Sequence, residues 1–153
     1  MTTTIRPARR DDVAAVVALL ADDPLGRERE QNTDPLPAVY HNAFDDMGRQ
    51  GGNTLLIAEQ AGRVIGCLQL TLIPGLSRRG MKRALIEGVR VAAAGRGLGI
   101  GELMVRHAIE LARDEGCGLV ELTSDRSRGD AHRFYERLGF AASHVGMKLL
   151  FDC

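Results

Sequence analysis

No charge of either sign prevails in this sequence: 20 Lys+Arg stand against 20 Asp+Glu in 153 residues. That balance removes the electrostatic basis for a general nucleic-acid binder, which neutralises phosphates with clustered Lys and Arg. No apolar run nears the ~20 residues that cross a bilayer. The opening Met-Thr-Thr-Thr-Ile-Arg-Pro lacks the apolar stretch of a secretory signal. Cysteine is scarce too. Cys67, Cys117 and Cys153 are odd in number, lie far apart and match no zinc or redox spacing. They read as buried or free thiols in a reducing compartment, and no metal is expected. There is no internal repeat and no low-complexity segment. What remains is a single cytoplasmic domain over residues 1–153 with no membrane or nucleic-acid partner. A chain of this size can bury roughly 70% of its unfolded surface, enough for a core without disulfides.

Glycine, by contrast, is abundant, at 18 of 153 against a typical ~7%. Gly95, Gly97, Gly99 and Gly101 fall within one short stretch. Around them the pattern alternates between strand and helix. Residues 3–6 read as a strand. Asp11 and Asp12 then open an amphipathic helix in which Val13, Val16, Val17 and Leu20 recur at three- and four-residue steps. That helix ends before Pro24. A proline-rich, charged segment over 24–37 carries Arg27, Glu28, Arg29, Glu30 and Asp34, and long loops of this kind are often functional. A second helix is expected over 38–47. Two apolar runs, 54–60 and 64–73, with Ala61-Gly62-Arg63 between them, read as a β-hairpin. A third strand covers 82–91. Ile100, Leu103, Met104, Ala108, Leu111 and Ala112 trace one face of a helix over 99–115, stopped by Gly116. The strand over 118–123 is then parallel to 82–91, with the helix as crossover. Asp130 is expected to cap a helix over 131–138, and 140–142 and 145–151 are expected as strands.

The glycine cluster therefore sits where a strand hands over to a helix. Backbone N–H groups of a first helical turn are unpaired there, and the helix dipole adds positive potential. Glycines allow close approach to an anion, and Arg96 adds a charge inside the turn. Such a turn can cradle a phosphate or pyrophosphate; a merely tight connection is the alternative. A Walker A loop is excluded because no Gly-Lys-Ser/Thr exists. Gly97-Leu-Gly99-Ile-Gly101 is G-x-G-x-G rather than the G-x-G-x-x-G of dinucleotide sites. Glu121, placed as an acidic ribose partner would be, keeps a nucleotide reading open.

Arg96-Gly-Leu-Gly-Ile-Gly101 resembles the R/Q-x-x-G-x-G/A acetyl-CoA loop of the GNAT superfamily of N-acetyltransferases. Val89-Arg90-Val91 looks like the end of that family's central strand. Ala131-His-Arg-Phe134-Tyr135-Glu-Arg-Leu-Gly139-Phe140 is similar to its A-x-x-F-Y-x-x-x-G-F segment, and Ile5-Arg6-Pro7-Ala8 followed by Asp12 to its start. The resemblance covers nearly the whole chain. It implies an α/β (α+β) fold: a mixed, mostly antiparallel sheet of six to seven strands with about four helices. One central parallel βαβ pair would be splayed for acetyl-CoA. Within the superfamily, Glu87-Gly-Val-Arg-Val, Gly116-Cys117 and Gly146-Met147-Lys148-Leu149 are similar to glucosamine-phosphate N-acetyltransferases.

The resemblance implies that the backbone of Val89 and Val91, with Arg90 alongside, pairs with the pantetheine arm. It further implies that the N–H groups of Arg96, Gly97, Leu98, Gly99, Ile100 and Gly101 receive the pyrophosphate. Tyr135 would be the acid for the leaving thiolate, since a phenol with pKa about 10 can protonate it; the alternative is a half-buried anchor for the last helix. Phe134 reads as core. Glu87 lies four residues before Val91, so a period of two puts both on one face. A carboxylate there must be paired or raised in pKa, which suits a base for the attacking amine. A salt bridge to a neighbouring strand, or deprotonation through water, is the alternative. Two departures from the family stand out. Arg128 replaces a frequent Asn, so it is expected either at the cofactor or, with Arg126, at a phosphate or in solvent; Ala92-Ala93-Ala94 replaces a usual proline. His132 and His144 complete no triad or metal arrangement. The implied activity is acetyl transfer from acetyl-CoA to the primary amine of a small molecule, an amino sugar or similar, in a ternary complex. A homodimer through the C-terminal strands is also implied. The alternatives are an enzyme for peptide or protein amines, and a non-catalytic acetyl-CoA-binding regulatory module.

Overall fold

A computed structural model describes residues 2–151. Cys153 lies outside them. One five-stranded sheet, in the order β1-β2-β3-β4-β5, organises the chain. Strands β1 (Thr3–Pro7), β2 (Asn53–Gln60), β3 (Arg63–Ile73) and β4 (Arg83–Val91) run antiparallel to their neighbours, and β5 (Leu119–Leu122) pairs parallel with β4. The helices are α1 (Val13–Ala21), α2 (Gly26–Arg29), α3 (Ala38–Gln50), α4 (Ser77–Gly80), α5 (Ile100–Asp114) and α6 (Gly129–Arg137). Six helices exceed the four or so expected, the additional two, α2 and α4, being only four residues long. Inside α4, Arg78 and Arg79 are left-handed, so it is a strained turn between β3 and β4 rather than a true helix.

The strands alternate their side chains between two cores, as a period of two demands. Leu56, Ala58, Leu68, Leu70, Ala84 and Ile86 pack against Ile100, Met104, Val105, Ala108 and Ala112 of α5. On the opposite face Ile57 and Cys67 pack against Val16 and Leu19 of α1. Each fully buried residue such as Leu56, Ile57, Leu68 or Ile86 contributes roughly 1.5–3 kcal/mol. Cys67 is a free thiol held in this core, and burial pushes its pKa up to about 12. Cys117 is also free. Among the described residues no helix is long and apolar enough to cross a membrane.

Several local expectations are corrected. Asp12 does not cap α1; its carboxylate accepts hydrogen bonds from Arg6 (2.8 Å) and from the Arg9 backbone N–H (2.7 Å), bracing β1 against the helix start. Asp130 falls inside α6 and pairs with Arg133. The larger correction concerns the C-terminus. Residues 140–151 form no strand, so the sheet has five strands rather than six or seven. A strand is completed by the N–H and C=O groups of a neighbouring edge; here Gly146 lies against Thr123 just past β5, but the segment forms no ladder with the open outer edge of β5. Phe140 packs beside Tyr135, while Val145, Met147, Leu149, Leu150 and Phe151 stay exposed.

Candidate active site

Pairing of β4 with β5 runs from Arg83 opposite Leu119 to Ile86 opposite Leu122 and then stops. On its other side β4 stays paired with β3 as far as Val91 opposite Gly66. Hence the edge of β4 that faces β5 is open from Glu87 to Val91. The departure begins at a bulge: Gln69 opposes Glu87 and Cys67 opposes Arg90, so β4 carries one residue more than β3 over that interval. Gly88 takes φ +60 within it, a left-handed conformation that glycine adopts without a Cβ penalty.

The bulge overturns one expectation. With a residue inserted, Glu87 and Val91 lie on opposite faces. Glu87 and Arg90 share the α1 face with Gln69 and Cys67, whereas Val89 and Val91 join the core under α5. Glu87 is not buried either. It is exposed and makes no hydrogen bond or ion pair with any described residue, so it needs no compensating partner.

Beyond Val91 the chain makes a short 3₁₀ turn (Ala93–Gly95) and reaches the glycine segment. Gly99 is left-handed at φ +77 and N-caps α5, which aims the first turn of that helix back along the open gap. The N–H groups of Ile100, Gly101 and Glu102 have no partner within the helix, and those of Gly97 and Gly99 donate to no described residue. Such a set of donors at a helix N-terminus accepts an anion. Ile100 is core, while Leu98 is exposed. Arg96 turns its guanidinium to the Val91 carbonyl (3.2 Å) and to Asp22 (3.6 Å).

The far wall of the gap is α6. Tyr135 packs edge-on between Phe134 and Phe140, at centroid distances of 5.0 and 5.8 Å. Its hydroxyl bonds to no described residue. Burial raises the phenol pKa, and the nearby Arg90 and Arg128 guanidiniums pull it partly back. Phe134 belongs to the core. Arg128, the N-cap of α6, is half-buried, and its partner among the described residues is Asp23. It donates two hydrogen bonds to Asp23, of 2.7 and 2.8 Å, and Arg90 stands 3.7 Å from the same carboxylate. Arg126 is exposed and pairs with no described residue. Sequence reasoning passed over Asp23, because Asp22-Asp23-Pro24 marks a helix end whatever its side chains touch. An open depression lined by Gln50, Gly52, Thr71, Pro74 and Lys82 lies at the other end of β4, away from these groups. Among the described residues no cluster could hold a metal ion.

Residues 14–140 match the acetyltransferase (GNAT) family. The chain is 32% identical over 117 residues to glucosamine 6-phosphate N-acetyltransferase of Trypanosoma brucei brucei, covering 75% of this chain and 78% of that protein. Its fold superposes with TM-score 0.95 on the crystal structure of a transcriptional regulator from Bacillus halodurans C-125, at 47% identity, covering 98% of this chain and all of the other. A putative acetyltransferase from Agrobacterium tumefaciens gives TM-score 0.83 at 30% identity, covering 97% and 99%. On this sequence match, which spans most of its length, the chain belongs to the acetyltransferase (GNAT) family.

Proposed function

We propose that the protein is an acetyl-CoA-dependent N-acetyltransferase that moves the acetyl group directly to the primary amine of a small molecule, an amino sugar or similar, in a ternary complex. The observation that carries this reading is the open edge of β4 leading into the unpaired donors at Gly97, Gly99 and the start of α5, with the free Tyr135 hydroxyl on the opposite wall. Acetyl-CoA supplies an acyl thioester. The backbone of Val89 and Val91 pairs with its pantetheine arm beside Arg90, and the N–H groups of Arg96 through Gly101 face its pyrophosphate.

The residues then divide the proton traffic. Glu87 takes a proton from the acceptor ammonium, freeing the nitrogen lone pair. As the carbon–nitrogen bond forms and the carbon–sulfur bond breaks, the Tyr135 hydroxyl gives its proton to the leaving sulfur. The amino-sugar class is supported by the likeness to glucosamine 6-phosphate N-acetyltransferase. We assign the enzyme to the cytoplasm, as a homodimer joined through residues 140–151, whose exposed apolar side chains suit a second copy.

The test is release of free thiol from acetyl-CoA across a panel of amines. Turnover with a small amine supports the reading. Turnover only with peptide amines replaces the acceptor class. A second reading, a non-catalytic acetyl-CoA-binding regulatory module, is favoured by the likeness to a protein described as a transcriptional regulator. Tight acetyl-CoA binding with no turnover on any amine would establish it.

A further inference from the structure

We propose that Arg90, supported by Arg128 and Asp23, is the subsite for an anionic group on the acceptor, so that the amine acetylated also carries a carboxylate or a phosphoryl group. This rests on the acetyltransferase reading above. Two guanidiniums and one carboxylate meet here. Asp23 is fully engaged: its Oδ1 accepts from Arg128 (2.7 Å), and its Oδ2 accepts from Arg128 (2.8 Å) and from the Gly26 backbone N–H (2.8 Å). Arg128 is thereby neutralised and Arg90 is not. The Arg90 guanidinium lies 3.7 Å from Asp23, beyond hydrogen-bond distance, and its Nη1 donates only to the carbonyl of its own neighbour, Val89 (2.9 Å). Its Nε is buried with no acceptor, and the side chain is 19% exposed. A guanidinium has five donors, and leaving them unpaired away from water is unfavourable. An arriving anion reaches the Nη2 end, which makes no hydrogen bond with a described residue and stands 3.7 Å from Asp23, and Asp23 holds the second cation beside it.

Placement argues for the acceptor rather than the cosubstrate. The register sets Arg90 opposite Cys67 and Glu87 opposite Gln69, on the α1 face. Their partners Gln69 and Cys67 lie two positions apart on β3, about 7 Å, the bulge taking up the extra residue of β4. A molecule lying along this face presents its ammonium to the Glu87 carboxylate and its anion to Arg90. The unpaired donors at Gly97, Gly99 and α5 lie farther on, past the end of β4, where phosphates of the cosubstrate have their own site.

The experiment compares acceptors that differ only in the anion: 2-aminoethylphosphonate with ethanolamine, glucosamine 6-phosphate with glucosamine, and β-alanine with propylamine. Transfer is read by thiol release, and binding of the same pairs by calorimetry on the full chain. The anionic member is expected to exceed the neutral one in kcat/KM and in affinity by about 10- to 100-fold, the scale of a charge-assisted hydrogen bond. Arg90→Gln is expected to collapse that ratio towards one, and Arg90→Lys to restore part of it. Equal values for both members in the wild-type chain overturn the proposal, as does a variant that lowers both alike. A third arm uses 3′-dephospho-acetyl-CoA. If the wild type discriminates against it and Arg90→Gln does not, the anion is the cosubstrate's and the proposal fails. If no amine is acetylated, the acetyltransferase reading falls, and calorimetry with the same pairs still decides the subsite.

Discussion

Asp23 and Arg128 meet through two parallel hydrogen bonds of 2.7 and 2.8 Å, although 105 residues separate them in the chain. The pair ties the end of α1 to the start of α6 and so closes one side of the gap between β4 and β5. Asp23 is 10% exposed and Arg128 27%. Asp23→Asn is expected to destabilise the fold by about 2–4 kcal/mol, below the range for a fully buried pair because Arg128 retains some water. Arg128 first, with Arg90 and the Gly26 N–H, holds the Asp23 carboxyl well below the usual carboxylate range. The stabilisation is therefore fully present above the unfolded pKa of about 3.9 and is lost as pH falls towards the depressed folded value. Chemical denaturation at neutral and acid pH checks both statements: the difference between wild type and variant should shrink in acid.

Tyr135→Phe removes the proton donor and keeps the ring packed between Phe134 and Phe140. A fall in kcat of about 10²- to 10³-fold is expected, with little change in KM for acetyl-CoA. Burial raises the Tyr135 pKa, so the alkaline limb of the wild-type kcat profile should lie above about 10, the ordinary phenol value. The variant should lack that limb. An unchanged rate at every pH removes Tyr135 from the chemistry.

Glu87→Gln tests the base. Loss of the acidic limb of the kcat/KM profile is expected, with the folded state intact because the side chain is exposed and bonds to no described residue. A profile identical to wild type assigns deprotonation to water.

Gly99→Val forces a β-branched side chain to φ +77 at the N-cap of α5. Left-handed backbone costs roughly 1–2 kcal/mol per residue outside glycine, and the turn relieves this by rotating its N–H groups away from the gap. Acetyl-CoA affinity, read by calorimetry, should fall at least about tenfold, while the circular dichroism spectrum keeps its shape.

The exposed residues of 141–151 predict the oligomeric state. Light scattering should give about twice the 16.6 kDa chain mass. Charging the segment with Val145→Lys and Leu149→Lys should return it to one chain, since buried lysines oppose an apolar contact. A monomeric wild type at all concentrations removes the dimer.

Much of this protein is determined by neighbours in sequence. The apolar rhythm from Ile100 to Ala112, the hairpin around Gly62 and the glycines between Val91 and Ile100 are local signals, and each element lies within two or three residues of where its residues alone place it. The position of the glycine turn at a strand–helix junction follows from the same signals. Three features were decided only in three dimensions. The bulge at Gly88 arises because β4 must match β3 residue by residue, and one extra residue sends Glu87 to the face opposite Val91. The cluster of Asp23, Arg90 and Arg128 exists because the fold brings three remote segments to one gap, which no periodicity reveals. The last residues have the alternation of a strand yet form none: they pass Thr123 beside the open outer edge of β5 without pairing with it, and alternation by itself does not supply the ladder that completes a strand.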